Sequence, residues 1–139
     1  MKNITIQEVE ELAHVLAQKQ MSWDEPIPEF GTRYPGRLES CLASVFQTFG
    51  RKNLYPTLTE KAAVLFYLLI KNHPFINGNK RIAVTSLLVF LSLNNKWLSA
   101  SNEEMYDIAL IVAKSPPKLR RGTYELIKDF VDKNLVAYE

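Results

Sequence analysis

The chain has 139 residues, a formal net charge of +2, 47% hydrophobic and 23% charged residues. These values exclude a disordered or fibrous chain and leave too little clustered positive charge to argue direct nucleic-acid binding. The length predicts one domain, residues 1–139, with a core that needs no staples. The lone cysteine, Cys41, forbids an intrachain disulfide and reads as a small buried hydrophobe at helical spacing. The acidic N-terminus has no apolar h-region, so no signal peptide is expected. The longest apolar runs, 62–70 and 87–91, are too short to span a membrane, which takes ~20 residues. A cytoplasmic protein without membrane contact is expected.

In chain order the signals are helical. Thr5 and Glu8 form a capping box ahead of Ile6, Val9, Leu12 and Leu16, which share one predicted face. Residues 21–36 hold three prolines and two glycines, a long loop of the kind that is functional or disordered. Residues 36–50 predict a helix with Leu38, Leu42, Val45 and Phe49 inward and Gly50 as its stop. A helix capped by Thr57 and Glu60 runs to Asn72 and is apolar nearly all round, which marks it as central. A second all-round apolar helix covers 79–97. Ser101 and Glu104 open another, which ends before Pro116 and Pro117. The last helix turns Tyr124, Ile127 and Val131 to one side. No alternating strand pattern persists, so the fold class is all-α.

The chemistry concentrates in His73–Arg81, "HPFINGNKR", between the two apolar helices. Pro74 is expected to hold His73 extended and so end the first helix. Asn77-Gly78 is a strong turn pair, and the next helix must start near Gly78 or Asn79. The backbone N–H groups of Gly78, Asn79, Lys80 and Arg81 then face out of a helix N-terminus, a cradle for an anion. Lys80 and Arg81 are cations at the dipole end that disfavours them, so an anion is needed to repay the conflict. Phosphate fits: Arg81 forks two oxygens and Lys80 supplies a point charge. His73, one short loop away, is the candidate general base for a hydroxyl attacking that phosphate. Phe75 is the apolar anchor of the loop. His14 falls within the first helix as a surface or packing residue. Taken singly, His73 reads as a capping imidazole and Lys80-Arg81 as a solvated pair; their conjunction within nine residues favours a site.

These nine residues resemble the Fic/Doc signature, His-x-Phe-x-Asp/Glu-Gly/Ala-Asn-Lys/Gly-Arg, and depart from it at one position, Asn77. Residues 34–45, 55–75 and 100–113 are similar to other helices of the death-on-curing branch. The resemblance implies a Fic-type helical domain, with the motif loop between two buried helices and a short flap able to form a β-hairpin. It implies ATP-dependent transfer to a Ser/Thr hydroxyl of a target protein. His73 would be the catalytic base, Phe75 the loop anchor, and Gly78, Asn79, Lys80 and Arg81 the nucleotide-phosphate site. Phe30, Gly31, Thr32, Arg33 and Tyr34 would belong to a flap that holds the target as an added strand. Lys80, where other members have Gly, resembles the branch whose best-known toxin phosphorylates elongation factor Tu; AMP transfer is the close variant.

Mg²⁺ is the implied cofactor beside ATP. Family members usually hold it with Asp or Glu where this chain has Asn77, and a neutral amide is a weaker ligand for a hard cation. The site is therefore either a working enzyme, with Asn77 completing a shell made mostly by nucleotide phosphates, or a catalytically weak nucleotide- or peptide-binding module. Members with an inhibitory helix carry Ser/Thr-x-x-x-Glu-Gly/Asn; the nearest stretch here has Glu104 at the last position. The expected regulator is thus a separate antitoxin from the same operon.

Overall fold

The structure, a computed structural model, describes residues 1–20, 27, 30–31, 36–76 and 78–138, with the side chain of Gln20 excepted. Its helices are α1 (Ile6–Glu8), a π-helical turn (Val9–Ala13), α2 (His14–Gln20), α3 (Arg37–Ser44), α4 (Leu58–Lys71), α5 (Asn79–Leu93), α6 (Asn102–Lys114), a 3-10 turn (Pro117–Leu119) and α7 (Arg120–Asn134). Two antiparallel pairs join them: β1 (Thr48–Phe49) with β2 (Lys52–Asn53), and β3 (Lys96–Leu98) with β4 (Leu135–Ala137). The helical fold class holds, and these short pairs are additions the sequence pattern did not reveal.

α4 and α5 form the centre. Ala62 through Ile70 and Ile82 through Leu91 are buried without a break. Each fully buried Leu, Ile or Phe contributes roughly 1.5–3 kcal/mol, so this hairpin dominates the stability. α7 and α3 lean on α4, while α6 and the first helical segment lean on α5. Thr85 Oγ1 donates to the Ala13 carbonyl at 2.7 Å, fastening α5 to the π turn. No described helix is long and apolar enough to cross a membrane.

Three caps match the sequence. Thr5 and Glu8 make a reciprocal box, as do Ser101 and Glu104. At α4, Thr57 accepts from the Glu60 N–H at 3.2 Å and donates its hydroxyl to the Glu60 carboxylate at 2.8 Å. α6 ends at Ser115 ahead of the prolines, and its last carbonyls receive Lys71 Nζ, at 3.2 Å from Ala113 O and 2.6 Å from Ser115 O.

Three expectations need correction. The first helical face is not Ile6, Val9, Leu12 and Leu16: Ile6 and Leu12 are exposed, while Val9, Ala13, His14 and Ala17 are buried. The π turn widens the helix and rotates the alanines inward, where their small side chains let α5 approach. The third helix stops at Ser44 rather than Gly50, and Phe49 is 82% exposed on a hairpin. Gly50 and Arg51 both take positive φ, 58° and 69°, which is the two-residue turn that matches strand twist. Last, α5 ends at Leu93; Trp97 lies in β3, because Asn95 turns left-handed at φ 64° and frees the chain to pair with β4.

Lys61 is 2% exposed, a rare state for lysine. Its ammonium donates to the Tyr55 carbonyl and to Asn53 Oδ1 (3.4 Å), and it lies 4.6 Å from the Phe46 ring centroid. It ties the β1–β2 hairpin to α4. Burial lowers its pKa, partly offset by Glu60.

Candidate functional site

α4 closes normally: the Asn72 N–H reaches Leu68 O at 2.9 Å, and Arg37 Nη1 donates to Asn72 O at 2.8 Å. The next residue is His73, and its φ is +46°. That overturns the extended backbone expected from Pro74. His73 takes the left-handed position just past a helix end, where glycine or asparagine is the usual occupant. A non-glycine residue held there costs of order 1–3 kcal/mol, and such strain concentrates at functional sites. Its side chain is exposed.

From His73 the chain dives inward. Phe75 is 1% exposed, and its ring meets Phe30 edge-on with centroids 5.9 Å apart; Phe30 in turn meets His14 at 5.4 Å. Asn79 then closes the loop. Its Oδ1 accepts from the Phe75 N–H at 3.0 Å and its Nδ2 donates to Phe75 O at 3.2 Å. The Asn79 side chain therefore holds the loop's shape, while its backbone N–H lies at the helix start. Sequence reasoning gave only the Asn79 backbone N–H a place in the cradle; the structure adds the side chain's bonds to Phe75.

Gly78 is the N-cap of α5, with φ 72°. It has no side chain to fold back onto the helix, unlike Thr5, Thr57 and Ser101. The N–H groups of Asn79 and Lys80 open the helix without intrahelical acceptors, as helix geometry requires. Lys80 is half-buried in the first turn, and Arg81 is 3% exposed. A guanidinium that deep beside an open helix N-terminus is suited to hold an anion bidentately. The structure thus brings His73, Phe75, Gly78, Asn79, Lys80 and Arg81 to one short loop and the helix it opens. Asn77 lies outside the described residues.

Of the residues expected in a flap, Thr32, Arg33 and Tyr34 also lie outside the described residues. Phe30 and Gly31 are placed against the motif. The Ile76 N–H donates to Gly31 O at 3.1 Å. A Cβ at Gly31 would lie 2.7 Å from Ile76 Cδ1, and one at Gly78 would lie 2.7 Å from Ile27 Cδ1. Ile27 and Gly31, in the segment expected to form the flap, therefore interlock with the motif loop through two glycines. Sequence reasoning missed Ile27, Gln18, whose Nε2 holds the Ile27 carbonyl at 3.0 Å, and Arg37. Only Gly78 carried a signal, since a glycine at a helix start invites a search for what presses on it.

Cys41 is buried, 3.7 Å from Leu68 O and 3.6 Å from Asn72 Nδ2. Burial raises its pKa, with Asn72 and Arg37 opposing, so the thiol stays protonated and inert.

Residues 3–91 match the Fic/DOC family. The chain belongs to the Fic/DOC family. It is also 36% identical over 72 residues to Toxin Doc of Mycolicibacterium smegmatis (strain ATCC 700084 / mc(2)155). That match covers 52% of this chain and 55% of the toxin, so the chain spans about half the length of the curated relative it matches. The His73–Arg81 loop falls inside the matched residues.

Proposed function

We propose that the chain is a Doc-type toxin that moves the γ-phosphate of ATP to a Ser/Thr hydroxyl of a target protein. The observation that carries this reading is the start of α5: a left-handed glycine in place of a cap, two cations in the first turn, Arg81 buried, and His73 held just before the loop. Such a helix start is costly unless an anion occupies it.

In this reading the phosphate oxygens rest on the N–H groups of Asn79 and Lys80 and on the Arg81 guanidinium. The target hydroxyl attacks phosphorus, the new O–P bond forms, and ADP leaves. His73 Nδ1 or Nε2 takes the hydroxyl proton. Phe75, packed on Phe30, keeps the imidazole and the cradle in register. Phe30 and Gly31 lead into the flap that would hold the target as an added strand. Lys80 fills space that AMP transfer needs for the remaining phosphates, which favours phosphate over AMP transfer. Mg²⁺ would neutralise phosphate charge. The motif offers it one amide, Asn77, so the nucleotide would supply most of its ligands. A separate antitoxin is the expected partner; expressed without it, the chain should arrest growth.

Arg81→Lys tests the cradle, because it keeps the charge and removes the fork. Calorimetric titration should show ATP binding weakened by about tenfold. Unchanged affinity in a folded variant would contradict the cradle.

A further inference from the structure

At the N-terminal end of α4 lies a cavity of about 480 Å³, well away from the motif. Val64 in its wall is eight residues from Asn72, roughly 12 Å along the helix axis. Leu54, Tyr55, Ala63 and Val64 supply an apolar floor, and Arg120, Arg121 and Lys128 project cations from α7. We propose that this cavity docks an acidic segment of a partner protein, one apolar side chain entering it while carboxylates meet the arginines.

Three observations support that occupant. The first is charge. Arg120, Arg121 and Lys128 face only Glu60 and Glu125 in the lining, and Arg51 and Lys52 stand on the adjoining hairpin. Glu60 is already engaged by the Thr57 hydroxyl, and Lys128 shares Asp132 at 3.6 Å. Five cations against the three acids Glu60, Glu125 and Asp132 leave +2 on this one face, equal to the formal +2 of the whole chain. The groove between α6 and α7 has the opposite balance, with Glu104, Asp107 and Asp129 against Lys133 around Ile111 and Leu126. The two faces therefore select partners of opposite charge.

The second is the way Arg120 is set. Its Nε donates to Tyr124 Oη at 2.7 Å, and its guanidinium carbon lies 5.6 Å from the Tyr67 ring centroid and 5.3 Å from that of Tyr124. An arginine fixed by its Nε and by ring faces presents its η nitrogens as a fork with little entropy left to lose, which suits a carboxylate. The third is exposed apolar surface beside the cations. Leu54, at the base of the hairpin, lines the cavity and is 45% exposed; Phe49, 82% exposed, lies farther out on the same hairpin. The Leu54 N–H bonds Gln47 O at 2.9 Å, so Leu54 is at the hairpin base and Phe49 is near its tip.

Nucleic acid fits less well. Single-stranded bases need open aromatic faces. Here Tyr55 and Tyr67 each meet Tyr124 edge-on, at 6.3 and 4.8 Å, and Arg120 already covers two of the rings.

The test is fluorescence anisotropy with a short labelled poly-glutamate peptide carrying one central leucine. It should bind the wild-type chain. Lys52→Glu/Arg121→Glu, two exposed positions, should weaken it by about tenfold or more. Leu54→Ser, or serine in place of the peptide's leucine, should weaken it several-fold. Melting temperatures establish that the variants are folded. In the wild-type chain, amide chemical-shift changes should map to residues 52–55 and 120–128. Unchanged binding by the charge-reversed variant, equal binding of a poly-lysine peptide, tighter binding of a single-stranded oligonucleotide, or shifts centred on the α6–α7 groove would each overturn the proposal.

Discussion

Two helix starts in this molecule are built on opposite principles. α6 begins with Ser101, whose hydroxyl accepts from the Glu104 N–H at 3.1 Å, while Glu104 accepts from the Ser101 N–H at 3.1 Å. Acidic residues fill its first turn. α5 begins with a side-chainless glycine at φ 72° and puts Lys80 and Arg81 in its first turn. The α6 start satisfies itself. The α5 start has no side-chain cap and sets two cations at the positive end of the helix dipole. One cap stabilises the fold, and the other, under the proposed function, is completed by the bound nucleotide.

That contrast can be broken at Gly78. Gly78→Ala would force a side chain into a left-handed backbone and against Ile27 at 2.7 Å. The strain costs about 1–3 kcal/mol before any clash is counted. Both melting temperature and ATP affinity should fall together. Loss of stability with full ATP affinity would separate the glycine from the cradle.

Asn77→Asp sharpens the same comparison by adding the carboxylate the family usually carries. In a working enzyme it should lower the Mg²⁺ needed for transfer, by about 1–3 kcal/mol of binding for one charge-assisted contact. An indifferent or inhibited variant, in a Mg²⁺ titration of transfer, would favour a nucleotide- or peptide-binding module.

At the other start, Ser101→Ala should cost about 1 kcal/mol by denaturant unfolding and leave transfer unchanged. An equal loss of activity would show that the two starts are coupled.

The smallest effect concerns acid. The Ser101 N–H, then its hydroxyl, hold the Glu104 pKa below its ordinary 4.5. The folded state therefore favours the anion. Its contribution is complete above 4.5 and drains away as pH falls through the lower folded value. Glu104→Gln should flatten that part of the acid melting profile; an unchanged slope would remove Glu104 from it.

What the sequence disclosed follows the same division. Caps were legible at Thr5, Thr57 and Ser101 because their chemistry is local, two residues three apart. The all-round apolar runs marked α4 and α5 as central for the same reason. Phe49 and Trp97 were misplaced because strands of two or three residues leave no period to read, and their pairing depends on left-handed turns at Gly50, Arg51 and Asn95. The candidate residues stood out as a motif, but two details of their geometry did not. The +46° backbone at His73 contradicts the ordinary effect of a following proline. The double hydrogen bond from Asn79 to Phe75 is tertiary geometry, invisible in residue types.

The central claim is that His73 and the α5 start transfer phosphate. It is tested most directly by incubating the wild-type and His73→Ala chains with ATP labelled at the α- or the γ-phosphate, with whole-cell protein as acceptor. The account predicts protein labelling from the γ position only, and a loss of ~10²–10⁴ in rate for His73→Ala with its melting temperature maintained. Labelling from the α position would make it an AMP transferase. No labelling from either, or full activity in His73→Ala, would contradict the account.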